Sequence, residues 1–288
     1  MSPSLDSLVM LPPDAVEALH RAIPSASGRP ARISYLVGPG DPFSTYEYWK
    51  KGEFDPRVPS IAYSTMFYEL VSALGANGQI VQRGPQSRPP FIDGEFRFDT
   101  VRLPRGEGFF GYHAARFQYA RACLAAIKDY GPDIAVVASD FDWQYLPLVK
   151  NRCRRTVLSL HNTIWPMGTR QFGTRQKAAN AAISFWLRSV DSSVCTSHEC
   201  ERQLKHLSGN RIATFVAAPQ QVSRPEAPPL KNRPSRLIYL GRIETAKGVF
   251  DLLETFADLR DRHPALTLVF AGGGGALEML KQQIDAMG

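Results

Sequence analysis

Apolar and polar positions alternate along this chain in two distinct ways, and the switch between them marks out its elements. Residues 31–37 form a short apolar-rich run that stops at Gly38-Pro39-Gly40 and reads as a first strand. Residues 61–74 take a helical period, with Met66, Leu70, Val71 and Leu74 on one face; Gly75 and the Asn77-Gly78 pair end it, and Gln79-Ile80-Val81 reads as the next strand. Over 113–130, Phe117, Ala120, Leu124 and Ile127 recur at helical spacing before Gly131-Pro132-Asp133 breaks the pattern. The runs 134–138, 155–160 and 193–197 read as buried strands, with a helix over 178–190 ahead of the last. Near the end, strand 237–240 leads through a polar loop into a helix with Val249, Leu252, Leu253, Phe256 and Leu259 on its stripe and Asp251, Glu254, Asp258 and Arg260 off it. Pro264 stops that helix, 266–271 reads as a second buried strand, and a glycine run occupies 272–275. Residues 236–275 are thus one parallel βαβ unit, and the chain as a whole is α/β with a mostly parallel sheet.

The remaining segments lack a period. Residues 1–30 read as a loose tail with one short helix over 14–22. Residues 38–60 are polar and aromatic, and 82–108 are rich in Pro, Gly and Arg and read as irregular connections. The stretch 219–235 is dense in Pro and charge, as a domain boundary is. Two domains follow, 31–218 and 236–288, which suits a length of 288 residues.

Composition narrows the function classes. No apolar stretch approaches the roughly 20 residues of a membrane span. Residues 1–10 lack a basic region and a long apolar core, so a secretory signal is not expected and a cytoplasmic location is. Cys123, Cys153, Cys195 and Cys200 show no CxxC spacing, which predicts neither a disulfide framework nor a zinc site. The formal net charge is +7. Its densest cluster, Lys150-Asn151-Arg152-Cys153-Arg154-Arg155, reads either as a solvated helix end or as a contact for an anionic membrane surface or acceptor. No nucleic-acid-binding module is recognisable.

The chemistry concentrates in Gly241-Arg242-Ile243-Glu244-Thr245-Ala246-Lys247-Gly248. A strand delivers this loop to the carboxyl edge of a sheet, where open α/β folds bind ligands. A fork-shaped guanidinium and a point-charge ammonium then stand beside the positive end of a helix, a combination suited to a diphosphate. The plainer reading of the same loop is a pair of solvated cations in an ordinary βαβ unit.

The pattern G-R-x-x-x-x-K-G, an amphipathic helix, then P-x-L-x-L-x-x-A-G-x-G resembles the donor-binding domain of glycosyltransferase family 4, retaining GT-B enzymes that use nucleotide-sugar donors. The resemblance extends forward. Pro132 to Ala138 is similar to the family's "PDvvha" strand, Asp142-Trp143-Gln144 to its "hDw" continuation, and 193–204 to its "vsvS..l...l" segment. It implies a complete N-terminal, acceptor-side Rossmann-like domain and the first part of a second, donor-binding one. It also implies that Arg242 and Lys247, with Gly241, contact the donor diphosphate, that Gly38 and Gly40 belong to the acceptor-side loop, and that no metal or other cofactor is required. His161, in Ser159-Leu160-His161-Asn162-Thr163, matches the family's "tvHd" position beside the transferring sugar; a strand-end histidine satisfied by a neighbouring carbonyl is the competing reading.

Departures are visible too. Gly38-Pro39-Gly40 and an insert replace the family's paired glycines, and Ala217-Ala218-Pro219-Gln220-Gln221-Val222 stands where relatives carry an "NGvD" turn. The family's later E-x7-E region is not in this sequence, so a fragment of a longer enzyme is expected. Asp140, Asp142 and Glu244 are the acid–base candidates, with no spacing that selects a pair. His113, His198, His206 and His263 fall on helices, loops or near turns and take no role. The expected function is transfer of a sugar from a nucleotide-diphosphate donor to a hydroxyl of a saccharide, lipid or small molecule. An epimerase or phosphorylase of the same fold, and a non-catalytic binding or scaffold protein, remain as alternatives.

Overall fold

The run that ends at Gly38 becomes the pivot of the larger sheet. A computed structural model describes Glu17 and residues 29–53, 55–58, 63–167, 169, 172–217 and 236–287. The helix expected over 14–22 and the linker 219–235 lie outside the described residues, Glu17 apart. The chain divides into two compact units, Met1–Ser223 and Arg224–Gly288.

In the first unit, β1 (Arg32–Leu36) is followed by α1 (Pro42–Lys50), α2 (Tyr63–Ala73), β2 (Asn77–Gly84), β3 (Arg88–Asp93), β4 (Phe96–Arg102) and α3 (Gly108–Tyr130). Then come β5 (Ile134–Ala138), α4 (Leu146–Lys150), β6 (Arg155–Leu160), α5 (Thr174–Trp186), β7 (Ser192–Cys195), α6 (His198–Ser208) and β8 (Ala213–Val216). The eight strands lie in the order β3-β4-β2-β1-β5-β6-β7-β8. All neighbours are parallel except β3 and β4. The chain therefore builds outward from β1 in one direction and then, from β5, in the other. Loops leaving β1 and β5 diverge to opposite faces, and the crevice between them is where such sheets take ligands.

Period-two alternation in β1 explains why both faces are covered. Ile33, Tyr35 and Val37 face α1 and α2, packing with Tyr46, Phe67, Tyr68 and Val71. Leu36 faces the other way, into the layer of Tyr119, Leu124 and Ile127 from α3. On that second face Gln79, fully buried, donates to Asp99 Oδ2 at 2.7 Å and to the Ala126 carbonyl at 3.0 Å, so its side-chain amide is paired rather than left bare.

Three segments differ from the pattern reading. Residues 42–50 are helical: Asp41 caps α1 by accepting from the Ser44 N–H at 3.1 Å, and Pro42 occupies the first turn. Phe43, Tyr46 and Trp49 recur every three residues, but over nine residues an aromatic stripe carries little periodic signal. Residues 88–102 form two strands; every residue of β3 but Asp93 is exposed, so no apolar alternation marks that strand. The Asn77-Gly78 pair opens β2 instead of ending a helix, and the short α4 and β8 also lacked a signal. In α3, Phe117 points outward, at 53% exposure, although Ala120, Leu124 and Ile127 are buried as their spacing predicts.

In the second unit β9 (Arg236–Leu240), α7 (Val249–Arg262), β10 (Thr267–Ala271) and α8 (Leu277–Met287) form a βαβ unit with one further helix. β9 and β10 pair in parallel, with Leu240 opposite Ala271. Ile243, Val249, Leu253, Ala276 and Leu280 make its core. The strands are not buried as expected. Ile238 is 65% and Leu240 84% exposed, because among the described residues of this unit no helix lies against that face of the two-stranded sheet.

The Asp41 cap fixes where the chain leaves the β1 loop. Asp41→Ala should destabilise the first unit by about 1 kcal/mol, the usual loss of a capping acceptor, while Asp41→Asn stays near the parent. Urea unfolding followed by tryptophan fluorescence, to which Trp49 contributes, measures both.

Candidate functional site

Each unit carries polar chemistry at the carboxyl edge of its sheet. In the first, strand ends set the positions. Ala138 of β5 lies opposite Ser159 of β6, and the Ser139 N–H extends the ladder to the Ser159 carbonyl at 3.0 Å. This places Asp140 and His161 on adjacent strand exits, with Gly38 leaving β1 on the other side of β5. A Cβ on Gly38 would collide with the Asp140 carboxylate, so only glycine lets that side chain lie against the β1 exit. Together Tyr35, Gly38, Gly40, Tyr63, Asp140 and His161 line a cavity of about 310 Å³. A second, of about 380 Å³, opens on the other side of Asp140, toward Trp143 and Trp186.

His161 is held from several directions. Its Nε2 lies 2.8 Å from Ser159 Oγ, its backbone N–H donates to Ser139 Oγ at 3.3 Å, and its backbone carbonyl accepts from Thr196 Oγ1 at 3.0 Å. The Tyr63 ring stacks on the imidazole, with centroids 4.1 Å apart and planes at 19°. Burial lowers the His161 pKa below its ordinary value, against the opposing pull of Asp140. The imidazole is therefore neutral near pH 7, able to donate from one nitrogen and accept at the other. Burial first, then Tyr63 and Asp140, pushes the Tyr35 hydroxyl far above its usual range, so it stays a protonated donor.

The three carboxylates are separated by their partners. Asp142 pairs with Arg116 at 2.8 Å and Glu244 with Arg242 at 2.9 Å. Among these, Asp140 alone has a carboxylate with no ion-pair partner among the described residues. Its backbone carbonyl instead accepts from Arg116 at 2.9 Å and Arg83 at 3.3 Å, which fixes the loop. Tyr35, Tyr63 and Ser159 carried no motif of their own. Their role is visible only once strand order places the ends of β1, β5 and β6 side by side.

In the second unit the loop 241–248 runs alongside the glycine run. The Gly241 N–H donates to the Ala271 carbonyl at 3.1 Å, and the Ile243 N–H to Gly273 at 2.9 Å. In return the Ala276 N–H donates to Ile243 at 3.0 Å. A Cβ at Gly272 or Gly274 would enter the backbone of Gly241 or Ile243, so the glycines permit this approach. Ile243, 1% exposed, anchors the loop in the core, while Arg242 on one side of it and Lys247 further on face outward. Gly248 adopts φ +69° and turns the chain into α7. Lys247 has no ion-pair partner among the described residues, and the first amides of α7 stand beside it.

Three of the four cations in the basic cluster 150–155 have carboxylate partners. Lys150 pairs with Asp191 at 2.6 Å and donates to the Arg154 carbonyl at 2.8 Å. Arg155 reaches the same Asp191 at 3.4 Å and Arg154 lies 3.8 Å from Asp133. Among the described residues no group of three or more His, Cys, Asp or Glu could hold a metal, and no helix is long and apolar enough to cross a membrane.

Residues 223–288 match the family model described as glycosyl transferases group 1. A stretch of 115 residues is 29% identical to the glycogen synthase of Mycobacterium tuberculosis strain H37Rv, covering 38% of this chain and 28% of that protein. The chain thus spans under a third of the curated relatives it matches. Among solved structures, E. coli trehalose-6-phosphate bound with UDP-2-fluoro glucose superposes with a TM-score of 0.58 at 10% identity, over 89% of this chain and 69% of that one. Sucrose-phosphate synthase from Thermosynechococcus elongatus gives 0.55 at 14% identity, over 88% and 68%. The fold is that of the GT-B glycosyltransferases, and its C-terminal region carries a glycosyl transferases group 1 sequence.

A nuclear magnetic resonance titration of the His161 ring protons should give a midpoint below the ordinary 6.5. Tyr63→Ala, by hydrating the ring, should raise it. Because the folded value lies below the unfolded one, the stability linked to His161 is complete above pH 6.5 and is lost as pH falls. The parent should therefore lose more stability than His161→Gln between about pH 7 and pH 5.

Proposed function

We propose that the protein is a glycosyltransferase that moves a sugar from a nucleotide-diphosphate donor to an acceptor hydroxyl. The 236–288 region holds the donor and the 31–218 region takes the acceptor. The observation that carries this reading is the loop 241–248, pinned against 272–276 at a sheet's carboxyl edge with two cations and a helix N-terminus exposed on it. In the transfer, the bond from the sugar's anomeric carbon to the diphosphate oxygen breaks and its electron pair leaves with the nucleoside diphosphate. A bond forms from the acceptor oxygen to that carbon, and the acceptor's proton is released.

The leaving diphosphate gains negative charge, so groups that stabilise it must be positive and already in place. Arg242 supplies a planar fork, kept oriented by Glu244; Lys247 supplies a compact charge; the free amides at the start of α7 add the positive end of the helix dipole. In the first unit, neutral His161 and the Asp140 carboxylate are suited to hydrogen-bonding sugar hydroxyls in the cavity they share. The sugar, the acceptor and a cytoplasmic setting belong to this proposal as well. The UDP-2-fluoro glucose bound by one structural neighbour makes a uridine nucleotide the natural first probe.

Isothermal titration with uridine diphosphate tests the assignment. Arg242→Ala and Lys247→Ala should each weaken binding by about 10- to 100-fold, the range for a charged hydrogen-bond partner, and His161→Ala should leave it within a factor of about two. Binding unchanged in both cation variants would sink the assignment. Product analysis with donor alone separates an epimerase, which alters the sugar without any acceptor.

A further inference from the structure

One exposed face of α3 carries charge of a single sign. Phe110, Ala114, Phe117, Arg121, Ala125 and Lys128 follow one another at three- and four-residue spacing, and all are exposed. A solvent-facing helix stripe ordinarily holds charged and polar residues of both signs. This one holds phenyl rings, alanines and cations, with no Asp or Glu.

Where the stripe meets α4, a cavity of about 320 Å³ opens, with Phe117, Arg121, Lys128, Tyr145, Leu148 and Arg152 in its lining. No carboxylate lines it among the described residues. Arg121, Lys128 and Arg152 have no ion-pair partner among those residues either. The nearby Asp129 and Asp142 are already taken, by Arg97 at 2.7 Å and by Arg116 at 2.8 Å. Arg152 donates to the Leu148 carbonyl, while its Nε is buried without a partner among the described residues.

Apolar side chains stand open beside these cations. Phe110 is 85%, Phe117 53% and Leu148 42% exposed, and the Tyr145 ring lies 6.3 Å from that of Phe117. A helix dipole favours a cation in the last turn, which accounts for Lys128 alone. It explains neither Arg121 in mid-helix nor the open rings. Apolar groups and unpaired cations on one face are what a helix lying in a lipid interface presents. A second copy of the chain fits poorly, because a twofold contact would bring this cationic cluster against itself with no carboxylate to answer it.

We propose that this face docks the protein on an anionic membrane surface. Lipid phosphates meet Arg121, Lys128 and Arg152, and Phe110, Phe117 and Leu148 enter the boundary between headgroups and acyl chains. The docking is independent of the glycosyl-transfer reading, since none of these residues belongs to the loop 241–248 or to the cavity at His161.

Flotation of the full chain with vesicles tests it, using phosphatidylcholine alone and an equimolar mixture with phosphatidylglycerol. The mixed vesicles should bind at least about tenfold more strongly. Arg121→Gln, Lys128→Gln and Arg152→Gln together should cost about 100-fold, at about fivefold per cation. The same charge change on α5, made by Arg175→Gln, Lys177→Gln and Arg188→Gln, should cost less than about fivefold. Thermal unfolding checks the fold; if the Arg152 change lowers it, Arg121→Gln with Lys128→Gln should still cost about 25-fold. Phe110→Trp should give tryptophan emission that moves to the blue when mixed vesicles are added. No preference for mixed vesicles, equal losses in the two triple variants, or unmoved Phe110→Trp emission overturns the proposal. A dimer in sedimentation velocity that Phe117→Ser dissociates also overturns it, and gives the face to a second copy.

Discussion

The chemistry of this molecule depends on how closely the loops leaving parallel strands can approach one another. Parallel neighbours all deliver their chain to one edge, and side chains at the exits compete for the same few ångströms. Where the chain places glycine, backbone or carboxylate moves into the space a Cβ would fill. Gly38 admits Asp140 beside the β1 exit; Gly272 and Gly274 admit the backbone of Gly241 and Ile243. The first contact places a carboxylate near a histidine at the crevice where strand order reverses. The second pins a loop so firmly that Arg242 and Lys247 project from a fixed frame. In both units the glycines act through close packing of their surroundings.

Pairing then sorts the charges. Arg97, Arg116 and Lys150 are joined to Asp99, Asp142 and Asp191, and serve to hold strands and loops in place. Lys247 and Arg88 have no such partner among the described residues, and both stand at carboxyl edges. Asp140, without a counter-ion among the described residues, shares a cavity with an imidazole kept neutral by burial. In the conspicuous run 150–155, by contrast, Lys150, Arg154 and Arg155 are tied to Asp191 and Asp133.

Much of this was legible in the sequence, for definable reasons. The strands 134–138 and 155–160 and the βαβ unit at 236–271 are marked by apolar runs between glycines and prolines, and the loop 241–248 by its residue types and spacing. His161 could be placed at a strand exit because β6 ends abruptly in polar residues. The surroundings of that histidine could not, since Tyr35, Tyr63 and Asp140 come together through the strand order β1-β5-β6, which no local pattern encodes. Residues 88–93 looked irregular because β3 is almost wholly exposed and lacks the alternation that a half-buried strand shows. The exposure of Ile238 and Leu240 was hidden for the opposite reason: an apolar run reads as buried whether or not a helix covers it.

The central claim is that the loop 241–248 and the start of α7 form a diphosphate seat. The most direct measurement is an amide chemical-shift map of the isotope-labelled chain titrated with uridine diphosphate. The account predicts that the largest shifts fall on Gly241, Arg242, Gly248, Val249 and Phe250, with smaller ones at Gly272 to Gly274. Shifts confined to the first unit, or none in the loop at saturating nucleotide, would contradict it.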